Sequence, residues 1–481
     1  RFGGTAQIAD AIQYIFDYAD EVDKPCVINM SLGAHQGPHD GTSDLDRVID
    51  ASVGPGRIIV GAVGNEGAAN MHAGKTFTDD DTVLKAMLAN NSKEARIDVW
   101  GDPGADIKLS VGITNAAKGT IVAESRQYTA DDGEVDFGFN YEQTLADVSF
   151  SIYPSRTPDN RSNFLIIVYG GSKYFADSRK VFIKVEGPSG SSVHMWNIAA
   201  EDFAITTRQG WTSGDNKYTA GEVGGTAKRI ISVGSFNSRN TLPYYLYPEA
   251  GDDAIDCGQL FGNYTLEAIS DFSSRGPTID GRMKPDVCAG GMPVVSSISQ
   301  YCQDLTMPFD PSNCIARTQD SAGKYHYYSI DAGTSMASPA VAGIVAMWLE
   351  ANPELTPEMV SEVLRKTSSV DRYTGSRGNN NAGYGKVHAL NGVRYVLKGE
   401  FEGAGLEAVA SAGRNSRAWA ADGILSVVSP VAGTVTLTSV SGARLLSVPV
   451  EAGLSDVDAC SVARGIYVVT LPDGTNIKVA L

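Results

Sequence analysis

One stretch of the sequence combines a serine with the start of an apolar helix. Gly333 and Thr334 form a tight turn, Ser335 follows in the predicted first turn, and most residues up to Trp348 are apolar. The first backbone N–H groups of a helix have no intrahelical acceptor, so they favour a negative charge that develops beside them. A serine hydroxyl at this place, given a base, is a candidate nucleophile for acyl transfer. The alternative is that Thr334 or Ser335 only caps a buried helix, which is the commoner role of such residues.

The residues around Ser335 favour the chemical role. The run Gly333-Thr-Ser-Met-Ala-Ser-Pro339 resembles the active-serine motif of the subtilases, the subtilisin-like serine peptidases. Pro339 is expected in the first turn of the helix, where N–H groups need no partner. Three other stretches resemble subtilase segments in the same chain order: Asn29-Met-Ser-Leu-Gly33, Gly64-Asn-Glu-Gly67 and Phe272-Ser-Ser-Arg-Gly-Pro277.

The resemblance covers most of residues 5–75 and 224–397. An insertion at residues 76–211 and the motif Pro38-His-Asp-Gly-Thr-Ser43 resemble the clostridial germination-type subtilases more than subtilisin itself. The chain is thus expected to be a subtilase with an additional module.

The resemblance implies a role for each motif. Ser335 would attack the scissile carbonyl, and the side-chain amide of Asn65 would stabilise the oxyanion together with the Ser335 N–H. Asn65 could otherwise be only a turn residue between glycines. The segment 31–33 would pair with an extended peptide substrate as an added strand, or be an ordinary strand end. The predicted substrate-binding residues are Ser31, Leu32 and Gly33, then Ala62, Val63 and Gly64 as one side of the primary pocket, and Thr334.

A nucleophilic serine needs a base, and the base needs an orienting carboxylate. In subtilases the chain order is Asp, His, Ser, and both partners precede the strand matched by Val27–Gly33. This chain contains no Asp-Ser/Thr-Gly strand end and no His-Gly-Thr-His helix start. We therefore expect an N-terminal segment of the same protein, upstream of Arg1, to supply the catalytic Asp and His. The chain alone is expected to be inactive, with an unpaired inner edge on its sheet.

The histidines of this chain are weaker candidates for the base. His35, His39 and His72 are expected in loops near the carboxyl edge of the sheet, where they would shape the cleft or the insertion. Asp40 adjoins His39, but adjacent side chains rarely point the same way. No pattern supports His194, His326 or His388.

The hydrophobic pattern predicts an α/β fold. Continuously apolar strands at Val27–Gly33, Arg57–Gly64 and Ala227–Gly234 alternate with helical patterns at Thr5–Asp20 and Asp44–Ser52. Such an alternation indicates a parallel sheet with helices on both faces. A further helix is predicted at Leu355–Arg365, with Thr356 as its N-cap.

Two β-rich modules are predicted beside this domain. Short alternating segments separated by Asp, Gly, Pro and Asn indicate an inserted antiparallel sandwich or jelly roll. The C-terminal strands resemble the sorting-type β domains of secreted Bacteroidetes proteins, with a purely structural sandwich as the alternative. The predicted domains are residues 1–75 and 212–397 (subtilase catalytic domain, N-terminal part missing), 76–211 (inserted β domain), 398–418 (linker) and 419–481 (C-terminal β-sandwich).

Composition excludes several kinds of partner. The net charge of −17 argues against nucleic acid and anionic membrane surfaces, and no apolar run approaches the roughly 20 residues of a membrane span. The cysteines lack metal-ligand spacing, although Cys302 and Cys314 could form a disulfide. No cofactor is expected to be required. Subtilases often bind structural calcium, but no spaced carboxylates locate such a site.

The sequence therefore predicts a serine endopeptidase that hydrolyses polypeptides through an acyl-enzyme on Ser335, secreted or on the cell surface. The alternative is a catalytically inactive subtilase that acts as a protein-binding or regulatory module. A carbohydrate-binding or adhesion protein built from the two β modules would leave residues 329–348 unexplained.

Overall fold

The computed structural model describes all residues except 1–3, 90–93, 140–147, 171–178, 200–201, 243–254, 263, 300–313, 400, 402–415, 422, 440–442 and 481. The helices are α1 (Thr5–Glu21), α2 (Asp44–Ser52), α3 (Cys257–Phe261), α4 (Thr334–Ala351), α5 (Pro357–Thr367) and α6 (Ala389–Lys398). The strands are β1 (Cys26–Met30), β2 (Arg57–Ala62), β3 (His72–Thr76), β4 (Val83–Met87), β5 (Glu94–Gly101), β6 (Lys108–Asn115), β7 (Thr120–Glu124), β8 (Val135–Phe139), β9 (Val148–Arg156), β10 (Ser162–Gly170), β11 (Arg179–Glu186), β12 (Ser192–Asn197), β13 (Ile231–Asn237), β14 (Thr241–Leu242), β15 (Ile255–Asp256), β16 (Val287–Met292), β17 (Val294–Ile298), β18 (Cys314–Gln319), β19 (Tyr325–Asp331), β20 (Arg417–Ala421), β21 (Ile424–Ser429), β22 (Gly433–Ser439), β23 (Arg444–Val450), β24 (Gly453–Asp458), β25 (Ile466–Thr470) and β26 (Asn476–Ala480).

A four-stranded parallel sheet organises the first and central parts of the chain. Its strand order is β1–β2–β13–β16. Successive residues of β2 face opposite sides: Ile58 and Val60 pack with α4 and α5, whereas Ile59 packs with α1 and α2. Both faces of the sheet are therefore covered by helices, and the predicted α/β fold is confirmed.

Helices α2 and α5 begin at side-chain caps. Helix α2 has the predicted bounds, because Ser43 caps it by accepting a hydrogen bond from the N–H of Asp46. Thr356 caps α5 in the same way by accepting from the N–H of Met359. Strand β13 begins at Ile231, later than the predicted start at Ala227, because residues 228–230 form a bend.

Helix α4 carries Ser335 and departs from one prediction. Its N-cap is Gly333, and no side chain caps it, so the alternative of a capping Thr334 or Ser335 is wrong. Pro339 is the sixth residue of the helix and not a first-turn residue, so the reason expected for its tolerance is also wrong. The carbonyl that loses a helical donor to this proline belongs to Ser335 itself.

The inserted segment forms two antiparallel sheets. Their orders are β3–β12–β5–β10–β9–β8 and β4–β11–β6–β7, and their inner faces share one hydrophobic core that includes Ile97, Val111, Phe164 and Ile183. This arrangement is consistent with the predicted sandwich. The sheet begins at His72, which opens β3 and is not a loop residue as expected; β3 was not predicted because its sequence, His-Ala-Gly-Lys-Thr, lacks a clear alternation.

The last segment also forms two antiparallel sheets around one core. Their orders are β20–β21–β24 and β23–β22–β25–β26. Most of the predicted linker at 398–418 lies outside the described residues, as does Cys302 of the suggested disulfide. Within the described part of the chain, no helix is long and apolar enough to cross a membrane.

Candidate active site

The loop that follows β2 and the start of α4 are held together through Asn65. The Thr334 N–H donates to Asn65 Oδ1 at 2.9 Å, and the Thr334 hydroxyl lies 3.0 Å from the same oxygen and 3.1 Å from the Gly64 carbonyl. An N–H group can only donate, so the atom of the Asn65 amide that faces Thr334 must be the oxygen. The Nδ2 group of the exposed Asn65 side chain has no acceptor among the described residues. It is a hydrogen-bond donor beside the Ser335 helix start.

The motif at 272–277 forms backbone hydrogen bonds with the loop that follows β2. The Ser274 N–H donates to the Gly64 carbonyl at 3.0 Å, and the Gly67 N–H donates to the Phe272 carbonyl at 2.8 Å. A Cβ atom on Gly67 would lie 2.0 Å from the Ser273 carbonyl oxygen, closer than any side chain permits. Glycine at this position thus allows two backbone segments to meet.

The Glu66 side chain holds the backbone of Asn65. Its Oε2 atom accepts the Asn65 N–H at 2.7 Å, contacts His35 Nε2 at 2.9 Å and lies 3.2 Å from the Ser274 hydroxyl. Burial alone would raise the pKa of Glu66, but the hydrogen bond and charge of His35, with the other two donors, lower it below the usual 4.5. A carboxylate held in this way ties the Asn65 backbone to the loop after β1.

The predicted substrate-binding residues occupy two different environments. Leu32 is half-buried, Gly33 is exposed, and a Cβ atom on Gly33 would meet nothing within 4 Å, so this segment borders open space. Ala62 and Val63 are buried, because residues 221–224 lie over them and the Gly221 N–H donates to the Val63 carbonyl at 2.8 Å. Their part in a primary pocket stays a prediction.

The Ser31 hydroxyl has a partner that sequence reasoning did not anticipate. It donates to the Ser335 carbonyl oxygen at 2.7 Å. The structure thus brings Ser31, Asn65, Thr334 and Ser335 to one place at the carboxyl edge of the sheet, as the order of the motifs predicts.

The histidines are all engaged elsewhere. His39 stacks on Trp196 at 4.1 Å between ring centroids, and burial together with the charge of His35 lowers its pKa to about 3. His72 contacts Asp215 and His194 through its two ring nitrogens. His326 contacts Asp320, and His388 caps α6. No described hydrogen bond of a histidine reaches Ser335.

Comparison with known proteins identifies the family. The subtilase family profile (peptidase S8) matches residues 1–386 of the 481. The chain belongs to the subtilase family. Serine protease AprX of Bacillus subtilis is 33% identical over 168 residues, which cover 34% of this chain and 35% of AprX. An uncharacterized protein of Aquifex aeolicus is 34% identical over 181 residues, 38% of this chain and 66% of that protein. The minor extracellular protease Vpr of B. subtilis is 32% identical over 131 residues, 27% of this chain and 14% of Vpr.

The fold is also that of a solved subtilase. The structure of the Clostridium perfringens CspB protease superposes with a TM-score of 0.56 at 19% identity, covering 82% of this chain and 72% of CspB. At this identity the similarity concerns the fold, and membership of a clostridial subgroup stays a prediction. The matched parts make up about a third of AprX and about two thirds of the Aquifex protein.

In this subtilase, the loop before α2 joins the site to the inserted sheets. The Gly37 N–H donates to Asp98 Oδ2 of β5 at 2.8 Å, and Arg161 of the inserted segment forms a buried 2.6 Å ion pair with Asp40. Burial raises the pKa of Asp98 to about 6 although three N–H groups donate to it. Through Asp40, the motif 38–43 thus contacts the inserted segment.

A pair of buried acids lies under the same loop. The Glu222 carboxylate accepts the His39 N–H, and its side chain packs directly on Gly37. Burial and the neighbouring Asp46 raise the pKa of Glu222 well above its usual 4.5, and burial raises the pKa of Asp46 to about 6. Removal of the two carboxyl groups from water is the main cause of both shifts.

Sequence reasoning named Ser335 and Asn65 as the candidate nucleophile and oxyanion donor, but it did not name the groups that hold them. Glu66 stood inside the quoted motif without a role, and Ser274 and Ser31 were assigned to segments and not to contacts. The only sign of these contacts in the sequence was that the short motifs contain several hydroxyl and carboxyl groups, which is too general to specify hydrogen-bond partners.

Among the described residues, no group of three or more His, Cys, Asp or Glu side chains could hold a metal ion. A structural calcium site stays a prediction.

Proposed function

We propose that this chain carries the nucleophile and the oxyanion donors of a serine endopeptidase that hydrolyses peptide bonds through an acyl-enzyme on Ser335. The observation that supports this most is the fixed Asn65 amide: Thr334 holds its oxygen, which leaves Nδ2 free beside the nucleophile. A donor fixed before the reaction stabilises the oxyanion without reorganisation during the chemical step.

In the proposed reaction, Ser335 Oγ adds to the scissile carbonyl carbon while its proton passes to a histidine base. The carbonyl oxygen becomes negatively charged between Asn65 Nδ2 and the Ser335 N–H. The tetrahedral intermediate then collapses, the amine takes the proton and leaves, and an ester on Ser335 remains. Water, activated by the same base, hydrolyses the ester and regenerates the serine.

We propose that the substrate is a polypeptide in extended form that lies along residues 31–33. The open space beside Gly33 supports this placement. A substrate backbone there could form hydrogen bonds as an added strand, which gives affinity with little dependence on side chains.

We propose that the base and its carboxylate come from an N-terminal segment of the same protein. Two features of the described chain support a covering segment. Strand β1 pairs only with β2 among the described strands, which leaves one edge of a parallel sheet open. Helix α4 has Glu350 as its only charged residue, yet one of its faces is exposed: Pro339, Ala340, Gly343, Ala346 and Met347. A helix that is apolar all round normally lies inside a protein.

The decisive experiment is labelling of the full-length protein with a fluorophosphonate probe, followed by mapping of the modified peptide. We expect an adduct on Ser335 and none in Ser335→Ala. Asn65→Ala should lower turnover about 10²–10³-fold, the magnitude known for the corresponding loss in subtilisin. Absence of labelling in a folded full-length protein would contradict the proposal and favour the inactive, protein-binding alternative.

We further propose that the enzyme acts outside the cell or at its surface. The relative named as an extracellular protease supports this location. Fractionation of cells that produce the full-length protein, with activity found only inside, would contradict it.

A further inference from the structure

Pro339 removes a hydrogen bond from the nucleophile's own backbone. In a regular helix the N–H of residue 339 would donate to the carbonyl of Ser335, four residues earlier. Proline has no N–H, and its ring crowds that same carbonyl. The Ser335 carbonyl is therefore turned out of the helical hydrogen-bond pattern at the residue that performs the proposed chemistry.

The hydroxyl of Ser31 takes the place of the absent donor. Ser31 Oγ lies 2.7 Å from the Ser335 carbonyl oxygen, across 304 residues of sequence. A carbonyl oxygen can only accept, so the single hydroxyl proton of Ser31 must point at Ser335. This hydrogen bond fixes the peptide plane that follows Ser335, and with it the backbone from which the nucleophilic Oγ projects.

A chain of polar groups fixes the direction of that proton. Asn29 Nδ2 donates to Ser31 Oγ at 3.0 Å, and Asn29 Oδ1 accepts from the hydroxyl of Ser338. Each group has one arrangement that satisfies its neighbours, because Ser31 must donate forwards and can therefore only accept from Asn29. Ser338 is fully buried, so the chain ends on a side chain that is itself immobilised.

We propose that Ser31 is a positioning residue for the nucleophile: its hydroxyl replaces the helical N–H that Pro339 lacks and holds the Ser335 backbone in its reactive orientation. This role goes beyond lining the substrate. It rests on the proposed function for its catalytic consequence, whereas the hydrogen-bond replacement can be tested without activity.

The test is a cycle of four forms of the full-length protein: wild type, Ser31→Ala, Pro339→Ala and the double variant. Pro339→Ala restores a backbone N–H that can donate to the Ser335 carbonyl, which makes the Ser31 hydroxyl dispensable. We expect Ser31→Ala to lower kcat and the rate of fluorophosphonate labelling about tenfold, with KM changed less than about twofold. In the Pro339→Ala background the same change should cost less than about threefold. Equal losses in the two backgrounds would overturn the proposal, and so would a loss confined to KM.

A second measurement separates this inference from the proposed function. Ser31→Ala should lower the thermal unfolding midpoint by about 2–4 °C when residue 339 is proline and leave it unchanged when residue 339 is alanine. Ser52→Ala is the matched control, because the Ser52 hydroxyl also donates to a helix carbonyl at 2.7 Å, that of Val48, away from Ser335. Its effect should be the same in both backgrounds. If the wild type is not labelled at Ser335, the proposed function fails, and the midpoints alone decide whether Ser31 replaces the missing donor.

Discussion

Replacing Glu66 by glutamine should show how strongly Asn65, the proposed oxyanion donor, depends on its neighbour. Glu66 Oε2 is shared by the Asn65 N–H, His35 Nε2 and the Ser274 hydroxyl. Glutamine has nearly the same shape, but an amide oxygen in the Oε2 position is neutral and therefore a weaker acceptor for all three donors. The substitution thus removes the charge while it keeps most of the packing.

The magnitude follows from the hydrogen bonds that lose a charged acceptor. A hydrogen bond to a charged group contributes about 1.5–3 kcal/mol, against about 1 kcal/mol for a neutral pair. Glutamine can keep neutral versions of these hydrogen bonds, so a net loss of about 2 kcal/mol is expected locally. That loss corresponds to amide exchange about 30-fold faster in residues 64–67 when exchange reports local opening. Because Asn65 itself remains, kcat should fall only about tenfold, well short of the effect of deleting an oxyanion donor.

The pH dependence has a defined sign. The pKa of Glu66 lies below its usual 4.5 in the folded protein, because the contacts with His35, Asn65 and Ser274 outweigh the effect of burial. Its contribution to stability is therefore present above pH 4.5 and is lost as the pH falls through the lower folded-state value. Glu66→Gln should be less sensitive than the wild type to acid in this range.

The assay is amide hydrogen exchange of the 62–67 segment as a function of pH, together with kcat and KM of the full-length enzyme. Glu358→Gln is the matched control, since Glu358 also has a lowered pKa but pairs with Arg229 at the surface, far from the site in sequence and contacts. It should change exchange at 62–67 by less than about twofold. Unchanged exchange and an unchanged acid midpoint in Glu66→Gln would refute the reasoning.

Two further predictions concern the covering segment and the buried acids. Gly343→Ala should stabilise the isolated chain by about 0.5–1 kcal/mol, because alanine favours the helix and its Cβ meets nothing within 4 Å. The same substitution should destabilise the full-length protein if a segment packs on that face of α4. The unfolding midpoints of both forms test this, and equal stabilisation would contradict a covering segment. Glu222→Gln should flatten the pH dependence of the free energy of unfolding: the raised pKa values of Glu222 and Asp46 mean that their stability is present at low pH and is lost as the pH rises past 4.5 and through about 6. Denaturant titrations over this range test it, and a slope identical to that of the wild type would count against the raised pKa of Glu222.

Several features of this chain were determined by local sequence. The bounds of α2 and the cap of α5 follow from short patterns, since a capping hydroxyl and an apolar stripe act within a few residues. The family and the identity of Ser335 and Asn65 as candidates also followed from short motifs. The parallel sheet followed from the continuous apolar runs, which need cover on both faces.

Other features were decided only when distant segments met. Strand β3 was missed because its residues do not alternate, and it exists through pairing with β12, more than 100 residues later. The role of Glu66 depends on His35, and the junction with the inserted sheets depends on Gly37 meeting Asp98. Such pairings leave little trace in either partner alone.

Ser31 and Pro339 illustrate the division most clearly. The sequence by itself determined that a proline lies in the helix that carries Ser335 and that a serine lies near the end of a predicted strand, but it placed the proline in the first turn, where no donor would be lost. Only the tertiary structure decided that this serine supplies the donor that the proline removes. The physical reason is that a missing N–H is a local fact, whereas the group that compensates for it is chosen by whichever side chain the sheet and helix bring within hydrogen-bond distance.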